Sequence, residues 1–145
     1  MGINYHERNI LICEDRCGTY DLEESHWGDP VEDIGKLTAS YILRIIYFRQ
    51  IRQVAYEATI KLLDAYFETL DIPEPRKALE NRMRFMIAGC LLMRVDGISS
   101  IWIPWVHDDA KKGITRQLAV KLVLEDQQLS LKDLLSQTNA DLGID

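Results

Sequence analysis

Apolar positions along the chain change their spacing once, near residue 30. Before it they fall in short extended runs. Ile10-Leu11-Ile12-Cys13 is rich in β-formers, Glu14-Asp15-Arg16-Cys17-Gly18 carries a turn signal, and Thr19-Tyr20-Asp21-Leu22 can return as a second strand. That pattern predicts a β-hairpin. From Val31 onward the spacing is helical. Asp29-Pro30-Val31-Glu32 is a helix start, with Asp29 as N-cap, Pro30 at the first helical position and Glu32 reaching back as in a capping box. Asp33 adds negative charge to the first turn, where the helix dipole favours it.

This first helix is expected to reach about Ile46, with Ile34, Leu37, Tyr41 and Ile45 on one face. A second helix is predicted from about Ile51 to Leu70, its apolar stripe drawn by Ile51, Val54, Ala55, Ala58, Leu62, Ala65 and Tyr66. Asp71-Ile72-Pro73-Glu74-Pro75 breaks it. A third helix follows from about Pro75 to Arg94, facing inward with Leu79, Met83, Met86, Ile87, Cys90 and Leu91, and Asp96-Gly97 ends it. A fourth is expected over Asp108 to Leu124, and Ser130 can cap a short fifth over Leu131 to Leu135. The polar tail from Thr138 to Asp145 reads as frayed. The expected fold is mainly α with a small β-hairpin, a single domain over residues 1–145. Residues 1–28 hold a loop and the hairpin, 29–137 the helices and 138–145 the tail.

Composition narrows the function classes. The chain has 145 residues and a formal net charge of −6, enough for one core and without the basic face a nucleic-acid binder needs. No apolar run approaches the roughly 20 residues that span a bilayer, and the first residues lack a signal-peptide apolar stretch. The expectation is a cytoplasmic protein with no membrane and no nucleic-acid partner. Three cysteines, Cys13, Cys17 and Cys90, read as reduced thiols. A zinc site at Cys13 and Cys17 would need His6 and His26 as further ligands, in a spacing that fits no standard zinc pattern. Cys90 reads as a small buried apolar residue, Met83, Met86 and Met93 as core filling, and Lys111-Lys112 as a solvated face.

The first 33 residues carry the chemistry. They hold His6-Glu7-Arg8-Asn9-Ile10-Leu11-Ile12, then Tyr20-Asp21-Leu22-Glu23, then Trp27-Gly28-Asp29-Pro30 and Asp33-Ile34. This order resembles the aminoglycoside phosphotransferase and choline kinase family of kinase-like folds. In that family a His-x-Asp-x-x-x-x-Asn loop leads into a strand, a second strand ends in Asp, and Gly-Asp-Pro-x-x-Asp opens a helix. Asn9 matches the loop's Asn, Asp21 the strand-ending Asp, and Gly28-Asp29-Pro30 with Asp33 the helix start. Arg94-Val95-Asp96-Gly97-Ile98-Ser99 is similar to bacterial members.

The resemblance implies the carboxy-terminal lobe of a kinase-like α+β fold. It implies transfer of the ATP γ-phosphate to a hydroxyl of a small, often amine-bearing acceptor, with ATP and Mg²⁺ as cofactors. Asn9 and Asp21 are then the metal ligands, since magnesium takes hard oxygen donors and phosphoryl transfer rests on metal ions held against phosphates. Asp29 and Asp33 are structural, as cap and loop anchor. His6 occupies a loop position where the family often has His.

The chain also departs from that pattern. The family's catalytic Asp lies five positions before the Asn, where Asn4 stands here, and the loop's His position is Gly2. An amide cannot accept a proton as a carboxylate does, so Asn4 marks a vacated base position. The amino-terminal lobe, with its ATP-covering loop and phosphate-pairing lysine, lies outside the chain. The expected activity alone is therefore weak or nil, and the expected partners are that lobe or a second copy. The alternative is a non-catalytic helical interaction protein derived from the lobe. Trp102 and Trp105, beside Asp108, are candidates to hold a cationic acceptor, against the plainer reading of packing residues.

Overall fold

A computed structural model of the chain describes residues 9–23, 25–98, 100, 103–124 and 129–141. A two-stranded antiparallel hairpin, β1 (Ile10–Cys13) and β2 (Arg16–Thr19), precedes five helices: α1 (Val31–Tyr47), α2 (Arg52–Thr69), α3 (Arg76–Val95), α4 (Asp109–Leu124) and α5 (Leu131–Asp141). The mainly helical architecture with one small hairpin agrees with the expectation.

The second strand lies earlier than predicted. Only Glu14 and Asp15 form the turn, with Glu14 at φ 46°. The ladder pairs Cys13 with Arg16 and Ile12 with Cys17. Arg16, Cys17 and Gly18, read as turn residues, are therefore strand residues, and Tyr20, Asp21 and Leu22 lie beyond the ladder. Paired residues share a face of a hairpin and neighbours along a strand do not. Cys13 and Cys17 thus point to opposite faces and cannot share a zinc ion or a disulfide. His6 lies outside the described residues.

α1 is the centre of the helical part. Eleven of its seventeen residues are buried and none is fully exposed, with the side that carries Asp33, Lys36, Ser40 and Arg44 partly open. It packs on α2 and α3 and touches α4. Tyr41, expected on its inner face, is only half-buried. Gly35 sets the approach to α3, since a Cβ there would stand 2.7 Å from Met86 Cγ. At its end, Arg52 Nε donates to the Ile45 carbonyl at 2.7 Å, satisfying one of the acceptors a helix terminus leaves open.

α2 turns a different stripe inward from the one predicted. Ala55, Thr59 and Leu63 are buried, with Tyr56, Leu62, Tyr66 and Phe67 partly so, whereas Val54, Ala65 and Ile51 are exposed. Thr59 enters the core because its hydroxyl donates to the Ala55 carbonyl at 2.7 Å, which removes the cost of burying it. α3 follows its predicted face closely: Leu79, Met83, Ile87, Cys90, Leu91 and Val95 are buried. Met86 packs partly against the core, but Met93 is half exposed and lies outside it.

The connection to α4 contains a one-turn 3₁₀ helix, Pro104–His107, with Val106 fully buried. α5 begins with a reciprocal capping box. The Asp133 N–H donates to Ser130 Oγ at 3.1 Å and the Ser130 N–H to Asp133 Oδ2 at 3.2 Å. The helix runs to Asp141 and not to Leu135, so the first part of the polar tail is helical. Leu131, Leu134 and Leu135 bury its inner face in the common core.

Candidate functional site

The open end of the hairpin brings the two predicted metal ligands together. The Tyr20 N–H donates to the Asn9 carbonyl at 3.1 Å, just past the last ladder pair, Ile10 with Thr19. This closes the ends of the two strands on each other. The chain then turns sharply at Asp21, whose φ is 63°, a left-handed conformation that Asp tolerates better than most side chains. The turn swings the Asp21 carboxylate back toward β1, where Asn9 Nδ2 donates to Asp21 Oδ2 at 3.2 Å. Asn9 is buried while Asp21 is exposed, so the pair has a fixed inner member and an open outer one.

The donor set suits a hard cation in part. A carboxylate and an amide oxygen are both magnesium ligands, and magnesium bound with a nucleotide keeps waters and takes phosphate oxygens for its remaining positions. One or two protein oxygens are then enough. Among the described residues there is no cluster of three or more His, Cys, Asp or Glu side chains that could hold a metal by themselves. Asn9 here turns its nitrogen to Asp21, so a shared cation requires the amide to present Oδ1 instead. Asn4 and His6, predicted at the catalytic loop, lie outside the described residues.

The Gly28-Asp29-Pro30 segment is an anchor. Asp29 Oδ1 accepts the Val31 N–H at 3.0 Å, although α1 starts at Val31 with Pro30 and not Asp29 in the N-cap position, one residue later than predicted. Its other contacts reach α3: Arg82 Nε donates to Asp29 Oδ2 at 2.5 Å, and the same guanidinium grips Glu74 through Nη1 and, at 2.9 Å, through Nη2. Burial would raise the Asp29 pKa, but the bonds from Arg82 and from Val31 outweigh it and hold the carboxyl below its ordinary value. Arg82, gripped by Glu74 and Asp29, is raised correspondingly.

Glu32 does not make the predicted capping box. Its carboxylate takes Lys36 Nζ at 2.7 Å and His26 Nε2 at 3.0 Å, and the Lys36 bond holds its pKa low despite partial burial. This also explains Gly28, where a Cβ would stand 2.8 Å from Glu32 Oε2 and 3.1 Å from His26 Nε2. Asp33 sits in the first turn of α1, and its charge, with that of Asp29, reaches Tyr66, whose hydroxyl donates to the Pro30 carbonyl at 2.8 Å. Burial and those carboxylates push the Tyr66 pKa up.

The aromatic candidates stand elsewhere. Trp102 lies outside the described residues. Trp105 packs edge-on against Tyr47 and Phe48, with ring centroids 5.2 and 5.1 Å apart. Asp108 accepts the Lys111 N–H at 3.1 Å and so caps α4. Lys111 is not a free solvated lysine: its Nζ donates to the Tyr47 carbonyl at 3.3 Å and lies 5.7 Å from the Tyr47 ring centroid.

A feature that the sequence reading missed is an open groove of about 550 Å³ beside α1 and α3, lined by Val31, Phe85, Met86, Gly89, Cys90 and Met93 together with the charged Asp29, Lys36 and Arg82. Its signal was a second apolar stripe on α3, hidden by the stronger core stripe. Comparison with described protein families, with curated proteins and with solved structures finds no match to this chain.

Proposed function

We propose that this chain is the metal-holding part of a small-molecule phosphotransferase lobe of the aminoglycoside/choline kinase kind. The observation that supports this best is the Asn9–Asp21 contact of 3.2 Å, made by residues twelve apart that the hairpin closes onto each other. The anchored Gly28-Asp29-Pro30 helix start is consistent with it. In this reading Asp21 and Asn9 hold Mg²⁺ with the phosphates of ATP, and the metal neutralises charge that develops on the transferred phosphoryl group. Asn4 at the base position leaves the acceptor hydroxyl without a carboxylate to take its proton. Transfer by the chain alone is therefore slow, and a lobe supplying the phosphate-pairing lysine is its required partner. The acceptor is a small hydroxyl-bearing molecule.

The test is a thermal-shift titration with ATP and Mg²⁺. A ligand that binds only the folded chain stabilises it by RT ln(1 + [L]/Kd), about 2.7 kcal/mol at a hundred times Kd. The expected result is a rise that requires the metal and that Asp21→Ala abolishes while leaving the unliganded melting temperature nearly unchanged. No rise at millimolar Mg·ATP sinks the reading.

One observation favours a second reading, a non-catalytic interaction protein. Ile12 is 80% exposed and Trp27 93%, and Leu11, Tyr20 and Leu22 are also exposed around the hairpin. Such a concentration of solvent-facing apolar side chains is the mark of a contact surface. If Mg·ATP has no effect, pull-down of a partner that Ile12→Asp and Trp27→Ala both release supports this reading.

A further inference from the structure

We draw no further inference here: the strongest candidate, the apolar groove between α1 and α3 along which Phe85 and Met93 are half exposed, has its Lys36 held by Glu32 and its Arg82 held by Asp29 and Glu74, and nothing in the structure shows what covers it.

Discussion

Arg84 is a costly side chain to bury. It is 1% exposed, and its Nη2 donates to the Leu129 carbonyl, yet Nε and Nη1 find no acceptor among the described residues. A buried charge so poorly satisfied is a liability, and replacing buried charged groups by apolar residues of similar volume is often neutral or stabilising. Arg84→Met is therefore expected to raise the folding free energy by about 1 kcal/mol. Arg84→Ala, which opens a cavity, is expected to lower it by about 2 kcal/mol or more. Urea melts of the two variants check both signs. The buried arginine is not visible in a pattern of polar and apolar letters, because polar residues are counted outward by default. The same default hid Thr59, which is buried only because its own helix accepts its hydroxyl. Asn9 and Asp21 were singled out by the family resemblance and expected at one end of the hairpin, but with Asp21 inside the second strand, whereas their contact arises where the chain turns back just past the ladder.

At the scale of elements, the junction of α1 with α3 is fastened at two points, by Gly35 under Met86 and by Asp29 in the grip of Arg82. Asp29 does two things there, capping one helix and pairing with another. Asp29→Ala is expected to cost about 1 kcal/mol, the usual loss of a helix cap. Asp29→Asn, which keeps an oxygen for the Val31 N–H, is expected to cost less. Chemical denaturation of the pair separates capping from charge. Helix positions were legible to within a residue or two where breakers stand, as at Pro73 and Pro75 before α3. The end of α5 was not legible. α5 runs past Leu135 because the residues beyond it, although polar, are compatible with a helix already anchored by its capping box. The turn of the hairpin was read too long because Arg16 and Cys17 look like loop residues until their ladder partners are known.

For the whole molecule, carboxylates dominate the response to acid. Asp29 (against the effect of burial), Glu32, Glu74, Asp96, Asp108 and Asp133 all titrate below their ordinary values, 3.8 for Asp and 4.5 for Glu. The causes are bonds from Arg82, from Lys36 to Glu32, from Arg116 to Asp96, from the Lys111 N–H to Asp108 and from Ser130 to Asp133. A depressed folded-state pKa contributes stability that is present above the unfolded value and is lost as pH falls through the folded one. The melting temperature is therefore expected to stay level from neutral pH down to about 5 and to fall below about 4. Arg82→Met, which returns both Asp29 and Glu74 toward their ordinary values, is expected to make that fall shallower. Calorimetry across a pH series reads both outcomes. Among the described residues no helix is long and apolar enough to cross a membrane.

The hairpin packs chiefly on itself, and its contacts with the helices are sparse, whereas most of α1 is buried. The hairpin and α1 are therefore open to change in different ways. A substitution in α1 is felt at once as a loss of folded protein, and few alternatives survive there. A substitution in the hairpin leaves the helical body standing and alters only what the surface meets. Sequence drift, and any engineering that seeks a new ligand, has its freest ground in residues 10–19, the two strands and their turn, on a scaffold that does not depend on them.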